Sequence, residues 1–351
     1  DRTWLKEKSE KDYEIVKMQG ERKAKEDRAS AADKDLSGPP QVYPSDINPR
    51  YHQSAWIADR MIDIINESTP DQPFFALCSF VAPHHPFDPP APYSTLYDPD
   101  KLALPVRQEG ELEDKPPHFR RHRVGQGCSN EKYDYRRLTD HEWGEVKAAY
   151  YGMITLIDDN IGRILQALRD KGITDDTLIV FTNDHGELMG DHGLLFKGPF
   201  HYDCLIKAPM ILSWPGVIPK GSRYKQITEH VDLMPTLLDF AGVRAPYGVQ
   251  GMSMAPILRG DSGAGREYAL TEFTCYDWGL NVKTITGRHY KLTYYAGETF
   301  GELYDRDKDP DEFRNLWDDP DYADIKQQLL RRLLDRVIET EDTLPLRIGK
   351  Y

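Results

Sequence analysis

Thr177-Leu178-Ile179-Val180-Phe181-Thr182-Asn183-Asp184-His185-Gly186-Glu187 changes character halfway along. Its first six residues are apolar or β-branched, a strand fit for burial on both faces. A carboxylate, an imidazole and a glycine follow at once. In open parallel α/β sheets ligands bind beyond the carboxyl ends of the strands, so Asp184 and His185 emerge where a site belongs. They form a two-ligand corner for a divalent metal, with Gly186 relaxing the backbone. An ordinary strand-to-loop turn capped by Asp184 would use the same residues.

The flanking sequence extends the reading. Upstream, Val146, Ala149, Met153, Ile157, Ile161, Ile164 and Leu168 recur at helical spacing, predicting a helix from Asp140 to Lys171. Asp140 is the candidate N-cap, and Gly172 stands where a C′ glycine belongs. Earlier, Tyr51 to Glu67 reads as a helix and Phe74 to Phe80 as a short buried strand. Downstream come a second apolar strand, Pro209 to Trp214, and a short helix, Asp232 to Ala241. This alternation predicts an α/β fold with a mainly parallel sheet and helices on both faces. After about residue 262 the pattern changes. Tyr268–Thr271 and Tyr290–Tyr294 read as antiparallel strands, Asp305–Pro310 as an acidic turn, and Ile325–Ile338 as an amphipathic helix. Two parts result: an α/β domain over 1–262 and a small α+β module over 263–351. The charged stretch 1–35 reads as a solvated helix or loose segment.

Composition narrows the function. The chain has 351 residues and a formal charge of −13, which argues against nucleic acid as the main partner. A local cluster of Lys, His and metal still permits an anionic small substrate. Cys78, Cys128, Cys204 and Cys275 form no C-x-x-C pair, so a zinc ribbon or thioredoxin-type site is not indicated. No apolar stretch approaches the length of a membrane span. The chain begins at Asp1 with neither an initiator methionine nor a signal peptide, as an internal fragment or processed chain does.

Two more places can carry chemistry. Lys197, in Gly193-Leu194-Leu195-Phe196-Lys197-Gly198, can reach inward as a point charge for an oxyanion or stay a solvated loop lysine. His84, in Ala82-Pro83-His84-His85-Pro86-Phe87, can protonate a leaving group or belong to a polar surface loop. Arg120, Arg121 and Arg123 lie in a long Pro-, Arg- and His-rich segment that can border a pocket. They meet further anionic groups there or form a solvated charge run.

Read together, these pieces resemble the later part of the sulfatase family, in the alkaline phosphatase superfamily. The resemblance runs over about residues 50–320. It rests on Pro83-His84-His85-Pro86-Phe87, Ile157-Asp158 with Ile161-Gly162, Phe181 to Glu187, Gly190-Asp191-His192-Gly193 with Lys197, Trp214-Pro215-Gly216, Val231 to Asp239, and Glu302 through Asn315-Leu316. It implies that Asp184 and His185 are metal ligands, calcium before manganese or magnesium, although other members carry Asn at the second position. Lys197 matches the lysine on a sulfate oxygen, and His84 the histidine that contacts the ester and assists the leaving group. The family's nucleophile, a formylglycine made from C-x-P-x-R or C-x-A-x-R, has no counterpart among the four cysteines, and neither does its first Asp pair. The expected function is metal-dependent hydrolysis of a small-molecule or saccharide sulfate ester, by a protein of which this chain is the C-terminal part and inactive alone. A phosphonate monoester or phosphodiester hydrolase on the same scaffold is the alternative, then a non-catalytic binding module. Export is favoured over a cytoplasmic site, and the sequence leaves the oligomeric state open.

Overall fold

The structure, a computed structural model, describes residues 2–18, 39–127, 133–261 and 265–341. Cys128 lies outside them. Packing divides the chain into two units that are interleaved in sequence. The first comprises Asp1–Arg107, Arg121–Thr177 and Leu188–Phe196; the second comprises Gln108–Arg120, Leu178–Glu187 and Lys197–Tyr351.

The first unit is built on helices α1 (Gln53–Glu67) and α2 (Asp140–Lys171). Thr139, not Asp140, is the N-cap of α2. Its hydroxyl accepts from the Glu142 amide at 3.2 Å, and the Glu142 carboxylate accepts from the Thr139 amide at 2.7 Å. This reciprocal pair satisfies two helix donors at once. Asp140 then falls in the first turn, where its charge suits the dipole. Gly172 ends the helix in the left-handed region, φ 75°. The buried face of α2, with Trp143, Val146, Ala149 and Met153, packs against Phe87, Tyr135, Leu195 and Phe196. At the far end Lys171 donates to the carbonyls of Asn66 (2.9 Å) and Ser68 (2.5 Å), a charged cap on the last turn of α1.

The run Phe74–Phe80 forms no strand. It carries no regular secondary structure, and Phe75 and Leu77 are each 84% exposed. Apolar content suits a strand but cannot supply the neighbour whose amides complete one, and no described strand pairs with it.

In the second unit β1 (Ile179–Thr182) and β2 (Met210–Ser213) pair antiparallel, Phe181 opposite Ile211. The alternation of elements predicts parallel neighbours instead. Parallel pairing needs a crossover across the sheet, and the 183–209 connection holds only one four-residue α-helix, Asp203–Ile206, so the chain turns back. Four further strands, β3 (Ala269–Cys275), β4 (Leu280–Thr286), β5 (Tyr290–Tyr295) and β6 (Gly301–Asp305), form an antiparallel meander in chain order. Between the two sheets in sequence runs α3 (Leu233–Phe240). Helix α4 (Ala323–Glu339) lays Leu329 and Leu333 on Ile285, Leu292, Leu303 and Leu316. The expected C-terminal α+β module is present, with β4 and β6 in addition to the strands read from sequence.

The segment Gln108–Arg120 joins this module from far upstream. The buried Lys115 donates to the Phe313 carbonyl at 2.5 Å, and Asn315 binds the carboxylate and carbonyl of Asp114, each at 2.9 Å. No helix of the described residues is long and apolar enough to cross a membrane.

Candidate functional site

Strand β1 delivers Asp184 and His185 just beyond its end. Asn183 donates to the His185 carbonyl at 2.8 Å and so closes the turn. Asp184 Oδ1 accepts from the His185 amide at 2.9 Å. The side chain of Asp184 stays 84% exposed. His185 Nδ1 lies 2.7 Å from the Gly186 carbonyl, which can only accept, so Nδ1 carries the proton. The Nε2 lone pair is left for Lys197, whose Nζ donates to it at 3.2 Å. Asp184 Oδ2 lies 3.5 Å from the same Nε2. Carboxylate, imidazole and ammonium are thus gathered around one ring nitrogen.

Close packing of the backbone holds the corner. The Gly186 amide donates to Leu205 O at 2.7 Å, and a Cβ on Gly186 would stand 1.9 Å from Cys204 O. Only glycine lets the two segments approach this closely. On the other side Thr182 Oγ1 donates to Pro209 O at 2.9 Å and lies 3.2 Å from His230 Nε2.

His84 belongs to the first unit. Its exposed ring stacks on His85 at 4.2 Å, and its Nδ1 donates to the His85 carbonyl at 2.7 Å. His85 in turn packs on Phe196, with ring centroids 4.4 Å apart. The structure therefore brings Asp184, His185 and Lys197 together in one unit, while His84 belongs to the other. Arg120 is partly engaged by the backbone. Its Nη1 is committed to the carbonyls of Leu112 and Glu113, at 2.8 and 2.9 Å.

The donor set fits a divalent metal in part. A ligating imidazole commonly has its second nitrogen tied to a carbonyl, as Nδ1 is tied to Gly186, and Asp184 keeps an oxygen beside Nε2. Calcium takes six to eight oxygens. Among the described residues no group of three His, Cys, Asp or Glu is placed to hold a metal, so Asp184 and His185 would supply only part of a shell.

Sequence reading did not find the residues that surround the lysine loop, namely His118, His201, Asp203 and Lys291. No motif marks them. The one available signal was Lys291 within the strand Tyr290–Tyr295, alternating with Thr293 on one face.

The Sulfatase family model matches residues 4–243, and that of N-sulphoglucosamine sulphohydrolase, C-terminal, matches 190–339. The chain is 32% identical over 292 residues to an arylsulfatase of Clostridium perfringens, covering 82% of this chain and 58% of the relative. It is 30% identical over 324 residues to a multifunctional alkaline phosphatase superfamily protein of Trinickia caryophylli, covering 86% and 62%. A phosphonate monoester hydrolase from Silicibacter pomeroyi superposes with a TM-score of 0.76 at 28% identity, over 90% of this chain and 68% of that one. The chain thus spans about three-fifths of the length of these curated relatives, and its α/β architecture is of the alkaline phosphatase type. With the family model matching more than half of its residues, the chain belongs to the sulfatase family.

Proposed function

We propose that this chain carries the sulfuryl-oxygen contact, one pair of metal ligands and the leaving-group acid of a sulfate-ester hydrolase. The observation that carries the reading is the triad of Asp184, His185 and Lys197 around one imidazole nitrogen. Here Lys197 donates to the Nε2 lone pair; a metal on His185 would claim that lone pair and leave the neighbouring ammonium to an anion. Lys197 would bind a nonbridging oxygen of the ester and hold it as charge builds in the transition state. Asp184 and His185 would hold calcium, which supplies positive charge to the same oxygens. His84, exposed on its loop, would give a proton to the departing alcohol. The sulfated-sugar hydrolase named by the second family model makes a saccharide sulfate the first substrate class to try.

None of Cys78, Cys128, Cys204 or Cys275 stands in the C-x-P-x-R or C-x-A-x-R pattern. On that pattern the 351 residues alone would lack the family's nucleophile and would not turn over. The test compares this chain with one extended by its upstream coding sequence, on 4-nitrophenyl sulfate. Turnover is expected from the longer protein only, and Lys197→Ala should lower its kcat on the order of 10²–10³-fold. Turnover by the short chain above its Lys197→Ala control would overturn the reading. A phosphonate monoester hydrolase is favoured instead if an aryl phosphonate is the better substrate, the outcome to which the likeness to the Silicibacter enzyme points.

A further inference from the structure

Lys197 is followed by a segment anchored at Pro199, His201 and Asp203 by β4, β5, His118 and the chain beyond β6. His118 Nε2 donates to the Pro199 carbonyl at 3.0 Å. Lys291, fully buried on β5, donates to the His201 carbonyl at 2.6 Å. His201 Nδ1 meets Thr284 Oγ1 at 2.6 Å, and Thr284 meets Thr293 Oγ1 at 2.8 Å. The Asp203 amide donates to Glu312 at 2.8 Å, and the Asp203 carboxylate takes Lys291 at 3.3 Å and Arg306 at 2.5 Å. Lys291 also pairs with the buried Glu312. Two residues further on, Leu205 O receives the Gly186 amide beside His185. One clamped stretch, 199–205, therefore lies between the two halves of the triad.

A fully buried lysine is rare and costly to desolvate. A methionine would fill the same space without that cost. What only the ammonium supplies is three donors, here spread over His201 O, Asp203 and Glu312. Lys291 and Thr293 stand on the same face of β5, two residues apart, and both reach this stretch, directly or through Thr284.

We propose that the buried polar face of the C-terminal sheet, centred on Lys291, is a positioning device that sets Lys197 against His185. The proposal rests on Lys197 being the anion contact. Lys291 touches no reacting group; it acts through the backbone of 199–203.

The experiment uses the EDTA-treated 351-residue chain, with two readouts. One is the ring-nitrogen shifts of His185 at fixed pH in long-range ¹H–¹⁵N spectra; the other is titration with inorganic sulfate. The variant Lys291→Met/Glu312→Gln removes both charges, so no buried ion is left without its partner, and the new side-chain amide oxygen can still accept from the Asp203 backbone. Its His185 Nε2 shift is expected to move toward that of a non-bonded imidazole nitrogen. Its sulfate affinity should fall about tenfold, the scale of one lost charged hydrogen bond. Thr284→Val keeps every charge pair and removes the hydroxyl that joins the His201 ring to Thr293, so it gives the same readout, smaller, should the double variant fail to fold. Leu333→Ala, in the core beneath α4, should lower the melting temperature and leave the His185 shift in place. An unchanged His185 shift in a folded double variant or in Thr284→Val overturns the proposal. Should the parent chain bind no sulfate, the role of Lys197 falls, and the ring shift alone still decides the positioning claim.

Discussion

Replacing Gly186 with alanine tests how the site corner is built. The added Cβ would meet Cys204 O at 1.9 Å, its carbonyl carbon at 2.9 Å and Leu205 Cα at 3.2 Å. All three are backbone atoms, so no side chain can swing away. Relief requires the 184–187 corner and the 204–205 segment to part, and the Gly186–Leu205 hydrogen bond of 2.7 Å breaks first. That bond contributes about 0.5–1.5 kcal/mol, and forced overpacking costs about 1–3 kcal/mol more. The sum, about 1.5–4.5 kcal/mol, corresponds to a fall of roughly 2–6 °C in melting temperature for a chain of 351 residues. Scanning calorimetry measures it, with Gly162→Ala as the internal contrast. A Cβ there meets nothing within 4 Å inside α2, so that variant should gain about 0.5–1 kcal/mol from helix propensity. A Gly186→Ala protein that melts with its parent, and keeps the Lys197–His185 contact by NMR, would refute the close-approach argument.

Three further outcomes follow from burial and charge. Burial raises the Glu302 carboxyl above its usual 4.5 despite hydrogen bonds from Tyr295 and Tyr304. Its contribution is complete below that value and declines as pH rises through the folded value, so Glu302→Gln should gain in melting temperature relative to its parent as pH is raised above about 4.5. His52 caps α1 by accepting from the Ser54 amide at 3.1 Å, and burial lowers it from 6.5 to about 4. That stability is complete above pH 6.5 and declines as pH falls toward 4, so His52→Asn, a cap that does not titrate, should lose less stability than its parent over this range in urea titrations. Leu333→Ala should cost about 2–5 kcal/mol, read from the urea midpoint, because Leu333 is buried in the core shared by α4 and the meander.

Where one periodicity ran long enough, the sequence predicted the structure closely. Helix α2 keeps its expected limits over 32 residues, because its apolar stripe repeats through many turns. Its cap shifted by one residue. The Thr139-x-x-Glu142 signature was present, and the neighbouring Asp140 drew attention from it. Short apolar runs were legible only as strand candidates. Phe74–Phe80 and β1 look alike in sequence, yet only β1 gained a partner, because pairing depends on a distant segment that local composition cannot name. Asp184 and His185 stood out because a glycine-relaxed turn after an apolar strand is a local pattern, and Lys197 only through the family resemblance. Their mutual contact depends on the 199–205 stretch, whose anchors on Asp203 and His201 come from residues 109 and 90 positions away in sequence. Lys291 was legible as part of its strand but not as buried, since an isolated lysine in a strand is nearly always at the surface.

The segment Gln108–Arg120 has a history that its final contacts impose. Lys115 ends up 4% exposed with its ammonium on the carbonyl of Phe313, a residue made 198 positions later. At about 5–20 residues per second, a ribosome takes roughly 10–40 s to supply that carbonyl. Until then Lys115 has its local ion pair with Asp114, while its neighbour His118 can already reach Pro199. The lysine itself is completed late, after much of the later chain has emerged. A chain released before residue 313 would leave this ammonium without its carbonyl and the meander without the segment it draws in.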